Sequence, residues 1–282
     1  MSLPRKQKKE TVDLTFWHKR HGVIYSRKGG WVVGEAVYNH GYSMMDELVG
    51  KASFFQVLIL NVTGRMVERR LADWLENIFI CLSWPDARIW CNQVGSLGGT
   101  MRTSPVAAVC SGVLAADSPM YGSAPLLAAS QFIVDALLKK NKGMPVAEIV
   151  KLQQRRPGMP PNIVGYARPV ASGDERVPAM KRVSSELGYT SGEHLTLAFE
   201  IEGFLLEKFN ESMNIGGYIA GFLSDQEFNP QEIYRMCSMV VNSGVHACYV
   251  ESMENPPESF FPLRCDDIDY QGVPSRPVPA RG

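Results

Sequence analysis

The chain is 282 residues long, with 29 lysines and arginines against 29 aspartates and glutamates, so its formal net charge is zero. That balance excludes a global electrostatic footprint for nucleic acid or an anionic membrane. At 45% hydrophobic and 21% charged residues, wholesale disorder and fibrous repeats are excluded too, and the length suits one large domain or two modest ones.

Residues 1–15 read as a loose basic lead-in without the apolar stretch of a secretory signal. Two β-rich runs follow, Val23-Ile24-Tyr25-Ser26 and Trp31-Val32-Val33. Lys28-Gly29-Gly30 between them is a turn signal, so a single hairpin is expected. Everything after it reads as helix. Residues 44–50 form a short helix stopped by Gly50. Ser53 caps a helix over 54–62 that Gly64 closes. Over 67–81, Leu71, Trp74, Leu75, Ile78 and Phe79 recur at helical spacing with charges opposite. Gly98-Gly99 reads as a bare turn.

Helices 105–114 and 125–138 are small and apolar all round, which predicts burial. Their Ala, Ser and Gly also predict a close helix–helix interface with a second copy, hence a homodimer. The polar, proline-rich stretch 153–161 marks a hinge between helical lobes. Helices resume over 175–187, 193–211, 217–223 and 230–251. The tail from Glu254 is an extended strap ending in disorder. The expected architecture is mainly α with one small β-hairpin.

The six cysteines, Cys81, Cys91, Cys110, Cys237, Cys248 and Cys265, form no CxxC pair. Three of them sit in apolar or small-residue runs and read as buried free thiols, pointing to a reducing cytoplasm. No run approaches the roughly 18 apolar residues of a membrane span. His18, His21, His40, His194 and His246 show no metal-ligand spacing, so no metal is expected.

Four segments in order resemble the citrate synthase superfamily, most nearly its short citryl-CoA lyase and ATP-citrate lyase branch. GYSMMDELVGKASFFQVLILNVTG (41–64) is similar to a glycine-tyrosine turn followed by "xASF-x-E/Q-V" and a helix ending in "L-T-G". GVLAADSPMYGSA (112–124) is similar to "G-L-x-x-L-x-G-P-x-x-G-G-A". IVGYARPVASGDERVPAM (163–180) resembles "P-G-F-G-H-P" followed by "D-P-R-A". MNIGGYIAGFL (213–223) resembles "x-N-V-D-G-x-I-A-x-x-L", and NSGVHACYVE (242–251) follows it like "R-T-x-G-x-x-A-H-x-x-E". The resemblance implies a two-domain helical fold. Residues 1–125 and 230–282 would form the large domain and 126–229 the small one. It also implies a homodimer with the site in a cleft that closes over acyl-CoA.

Family chemistry is an aldol- or Claisen-type step. A carboxylate removes a proton beside the thioester, and imidazoles stabilise the enol oxygen and the attacked carbonyl. This sequence departs at each of those positions. Tyr121 stands for the histidine of "G-P-L-H-G", as an aromatic does in the lyase branch. Arg168 stands for the histidine of "G-F-G-H-P"; arginine holds its proton to above about pH 12, so it can bind an oxyanion but not shuttle a proton. Gly216 stands for the aspartate base, Val241 for the arginine of "R-T-x-G" and Cys248 for the histidine of "A-H". Arg176 keeps the arginine of "D-P-R", which grips a substrate carboxylate bidentately.

The candidate catalytic residues are therefore Tyr121, Arg168 and Asp86. Arg176, Arg88, Asn92 and Arg102 are the candidate substrate ligands. A CoA thioester is expected as substrate, with no permanently bound cofactor. Two functions stay open: a repurposed carbon–carbon bond enzyme acting on an acyl-CoA or polycarboxylate, and a binding or scaffold protein that has lost catalysis.

Overall fold

The computed structural model describes residues 13–156, 158–166, 173–257, 259 and 265–280. It divides into two compact units, Met1–Ala72 and Asp73–Gly282.

The first unit holds a short helix α1 (Thr15–His18) and a three-stranded antiparallel sheet, β1 (Gly29–Val32), β2 (Ala36–Asn39) and β3 (Tyr42–Ser43), in that order. The expected hairpin is thus displaced and enlarged. Residues 23–26 form no strand, and Gly29 and Gly30 lie within β1 rather than in a turn. The reason is close approach. A Cβ on Gly29 would stand 2.5 Å from the Tyr38 carbonyl across the ladder. The turn falls instead at Gly34, whose φ of +81° suits glycine. His40-Gly41, with φ of +49° and +87°, makes the next turn.

A π-helical turn (Met44–Leu48) replaces the short α-helix expected there. Next comes α2 (Phe54–Thr63). Ser53 and Gln56 form its capping box, and Gly64 ends it in the left-handed region, as its sequence predicts. The chain enters the second unit along α3 (Arg69–Leu82).

The second unit is helical. Its next elements are α4 (Trp90–Thr100), α5 (Pro105–Ala116), α6 (Ala124–Asn141) and α7 (Val146–Lys151). After the proline-rich break come α8 (Arg176–Glu186), α9 (Glu193–Phe209), α10 (Ile215–Asp225), α11 (Pro230–Met236) and α12 (Asn242–Glu254). Helix α4 was hidden by composition: Gly95, Ser96, Gly98 and Gly99 are poor helix formers. Packing requires them. A Cβ on Gly95 would meet the Val245 carbonyl at 2.7 Å, and one on Gly99 the Tyr249 carbonyl at 2.5 Å. Helices α4 and α12 therefore touch backbone to backbone, and the Gly98-Gly99 pair is helix, not turn.

The expected helix over 230–251 is broken between α11 and α12. Val240, Val241, Asn242 and Gly244 there weaken helix, and Gly244 packs its Cα against the Ser83 and Trp84 carbonyls. The expected all-round burial of 105–114 and 125–138 is also corrected. Val106, Leu114 and Leu138 are exposed, because one face of each helix meets its neighbours and the other does not. The core is closed by an aromatic stack of Trp74 on Phe222, centroids 3.9 Å apart. The Trp74 indole donates to Ser184 Oγ at 2.8 Å, and Ser184 bonds the Tyr218 hydroxyl at 2.9 Å, which ties α3, α8 and α10 together.

Candidate active site

The start of α8 is built around one buried carboxylate. Arg176 Nε and Nη2 donate to Asp174 at 2.8 and 2.7 Å, and the Arg176 backbone N–H donates at 3.1 Å. The same carboxylate accepts the Ile215 N–H at 2.8 Å, so it joins the starts of α8 and α10. The side chains are 1% and 18% exposed for Asp174 and Arg176. Burial pushes the Asp174 carboxyl up, but Arg176 and the backbone donors outweigh it and hold it below the ordinary value. Burial likewise works against the Arg176 charge, and Asp174 more than restores it.

Asn214 closes the rest of the α10 start, its side-chain oxygen accepting from the Gly216 and Gly217 N–H groups at 2.8 and 3.3 Å. With Ile215 on Asp174, the first three N–H groups of α10 have partners within the protein, so this helix end is closed to an outside anion. Gly216 itself offers no base.

Tyr121 lies in the turn between α5 and α6, within electrostatic reach of Arg176. Its ring meets Trp90 edge-on, with centroids 5.5 Å apart. Cys81, at the end of α3, stands near both Arg176 and Asp174; burial raises its thiol, Arg176 opposes this and Asp174 adds to it. Sequence reasoning offers Asp174 only as an ion-pair partner for Arg176, a pairing the structure shows, and gives Trp90 and Cys81 no place at the site. Only the aspartate of the "D-P-R"-like segment carried a signal.

Asp86, Arg88 and Asn92 form a second group, before and within the first turn of α4. Asp86 accepts the Arg88 N–H at 2.9 Å and its guanidinium at 2.7 to 3.3 Å. Those hydrogen bonds hold the Asp86 carboxyl down at about 2, which makes it a weak proton acceptor near neutral pH. Asn92 is buried and donates to the Trp84 and Asp86 carbonyls at 3.1 and 2.8 Å, fixing the loop that carries Asp86. Nearby, burial pushes Cys91 up to about 11 and raises Cys248, so both thiols are protonated.

Arg102 lies at the far end of α4, with φ of +59°. Its guanidinium caps the end of α12, donating to the Ser252, Met253 and Asn255 carbonyls at 3.2, 2.6 and 2.5 Å. Arg168 lies outside the described residues. The structure thus leaves Tyr121 within electrostatic reach of Arg176, groups Asp86 with Arg88 and Asn92, and places Arg102 at the far end of α4. At the start of α8, a cavity of about 440 Å³ is lined by Asp174, Glu175, Val177, Glu202 and Met213. Among the described residues no group of three or more His, Cys, Asp or Glu could hold a metal, and no helix is long and apolar enough to cross a membrane.

No family model and no curated protein matches the sequence. Solved structures do match. Citryl-CoA lyase from Hydrogenobacter thermophilus superposes with a TM-score of 0.77 at 22% identity, over 91% of this chain and 98% of that one. ATP citrate lyase from Methanothrix soehngenii, solved with citrate and coenzyme A, gives 0.73 at 16% identity, over 98% of this chain and 46% of its own. Citrate synthase from Thermoplasma acidophilum gives 0.55 at 13% identity, over 81% and 60%. The chain therefore has the mainly α, citrate-synthase-like fold that these lyases and synthases share.

Proposed function

We propose that this protein is a divergent citrate-synthase-like enzyme that makes or cleaves a carbon–carbon bond in an acyl-CoA or polycarboxylate substrate. The observation that supports the reading is the citrate-synthase-like fold shared with lyases and synthases, with Arg176 held in place by Asp174 and Tyr121 within its electrostatic reach. Asp174 takes Nε and Nη2 of the Arg176 fork, and a substrate carboxylate would meet the guanidinium through Nη1. Tyr121 is the proton donor or acceptor, and Arg168 holds the developing oxyanion. Asp86 is the other candidate base, with Arg88, Asn92 and Arg102 as further ligands. The CoA thioester comes and goes as substrate, and no cofactor stays bound. We further propose a cytoplasmic homodimer formed through the exposed faces of α5 and α6, with 126–229 as the smaller, closing domain.

Calorimetric titration with citrate, malate and CoA, alongside a thiol-release assay, tests this. Binding with turnover of a CoA ester supports it, and no binding of any of the three overturns it. Two observations favour a second reading, a non-catalytic binding or scaffold protein: Gly216 leaves no base at α10, and Arg88 holds the Asp86 carboxyl down at about 2, a weak base. That reading gives binding without bond cleavage.

A further inference from the structure

The loop between α5 and α6, residues 117–123, carries Tyr121 and closes on itself. Ser118 and Tyr121 exchange backbone bonds, each N–H donating to the other's carbonyl, at 3.3 and 3.2 Å. Gly122 has φ of +78°, and a Cβ there would collide with the Ala116 carbonyl, so the turn folds back on the end of α5. These backbone contacts fix the shape of the turn. They do not tie it to the helices around it.

That tie comes from one carboxylate. Asp117 Oδ1 accepts from the Ser123 hydroxyl at 3.0 Å, and Oδ2 accepts from the Tyr234 hydroxyl, on α11, at 2.7 Å. Asp117 and Ser123 are the first and last residues of the loop, so the two bonds join its ends to each other and to a third helix. Ser123 stands at the N-cap of α6, where a serine ordinarily accepts from the first turn. Here it is buried, its backbone is helical (φ −82°, ψ −28°) rather than extended, and it makes no capping bond. The loop keeps the bond to Asp117 in place of a cap. Helix α11 is a firm post for Tyr234. Asn229 and Glu232 form its capping box, Pro230 opens it, and Ile233 and Met236 are buried. The bond to Asp117 raises the Tyr234 phenol, so the hydroxyl stays protonated and donates.

We propose that Asp117 and Tyr234 are positioning residues for Tyr121: Tyr234 holds Asp117, Asp117 holds both ends of the loop, and the loop sets the Tyr121 ring against Trp90 and within electrostatic reach of Arg176. The inference rests on the reading of Tyr121 as the proton donor or acceptor, and neither positioning residue touches substrate. Met120, next to Tyr121, is exposed, so apolar packing does little to hold the tip of the loop, and the polar bracket does it instead. Placement matters because a misplacement of about 1 Å costs a reacting group on the order of 100-fold in rate.

Nuclear magnetic resonance of ring-labelled tyrosine tests the bracket without substrate. The Tyr121→Phe spectrum identifies the Tyr121 signal, which the Trp90 ring displaces because the two centroids lie 5.5 Å apart. Tyr234→Phe removes one hydroxyl, and its melting temperature is expected within a few degrees of the wild type. Its Tyr121 signal is expected to move towards the position found in Trp90→Leu. Asp117→Ala is expected to move it further, and Asp117→Ala/Tyr234→Phe no further than Asp117→Ala alone, because Tyr234 acts only through Asp117. With a CoA ester that the wild type turns over, Tyr234→Phe is expected to lower kcat about tenfold and to leave KM unchanged. An unmoved Tyr121 signal in both single variants would overturn the proposal, as would additive shifts in the double variant or an unchanged kcat in Tyr234→Phe. A moved signal in protein that turns over no CoA ester would support the positioning and overturn the acid–base role of Tyr121.

Discussion

Asp174 grips Arg176 two residues along the chain and, with the same carboxylate, the Ile215 N–H forty-one residues away. A single buried anion thus sets both the direction of the guanidinium and the start of the helix beside it. Asp174→Ala leaves Arg176 unpaired in a little-exposed site and is expected to cost about 3–5 kcal/mol in urea unfolding at pH 7. The folded carboxyl lies below its unfolded value. Its contribution is therefore present above about pH 4 and is lost as pH falls through the folded value. Asp174→Asn cannot ionise, so its stability is expected to fall less than that of the wild type between pH 5 and pH 3.

Arg176→Ala is expected to weaken citrate or malate binding by roughly 2–5 kcal/mol, read by calorimetry. Arg176→Lys should recover little of this, because a point charge cannot hold Asp174 and a ligand in one plane. Equal affinities for wild type and both variants would remove Arg176 from the site.

Wild-type protein is expected to release no thiol from acetyl-CoA and oxaloacetate, since Gly216 supplies no base. Gly216→Asp is expected to fold. Its Cβ would stand 3.0 Å from Asn214 Oδ1 and 3.6 Å from Leu126 Cδ2, which a small shift relieves. The melting temperature should move by only a few degrees. Gain of acetyl-CoA methyl-proton exchange in deuterated water would show that the missing carboxylate limits the reaction.

Two glycine substitutions should have opposite signs. Gly99→Ala drives a methyl to 2.5 Å from the Tyr249 carbonyl, forces α4 from α12 and is expected to cost about 2–3 kcal/mol. Gly203→Ala, in α9 with nothing within 4 Å, is expected to stabilise by about 0.5–1 kcal/mol. Thermal melts of the two variants against the wild type provide the check.

Some of this was legible in the sequence for physical reasons. Helix α2 carries its own start and stop in Ser53, Gln56 and Gly64, and α3 carries an apolar stripe, so local rules suffice. Helix α4 was not legible, because its glycines answer to a helix distant in sequence, and propensity alone reads them as loop. Gly29 misled in the same way: a residue chosen for close approach looks like one chosen for turning. For the candidate site, family resemblance was the only signal that pointed to Tyr121 and Arg176. The engagement of Arg102 with α12, of Asn92 with its own loop and of Asp174 with α10 depends on tertiary placement, which no local pattern encodes.

The backbone contact between α4 and α12 has a consequence for how the chain is made. Ser96 Oγ bonds the Cys248 carbonyl across 152 residues of sequence. At about 5–20 residues per second, a ribosome needs on the order of ten seconds or more to deliver the second helix after the first. During that interval α4 has α5 beside it, but the face carrying Gly95 and Gly99 has no partner and the helix's own propensity is weak. The late arrival of α12 makes this layer the last to form, and a chain truncated before residue 242 is expected to stay trapped with its first half unconsolidated and prone to aggregate.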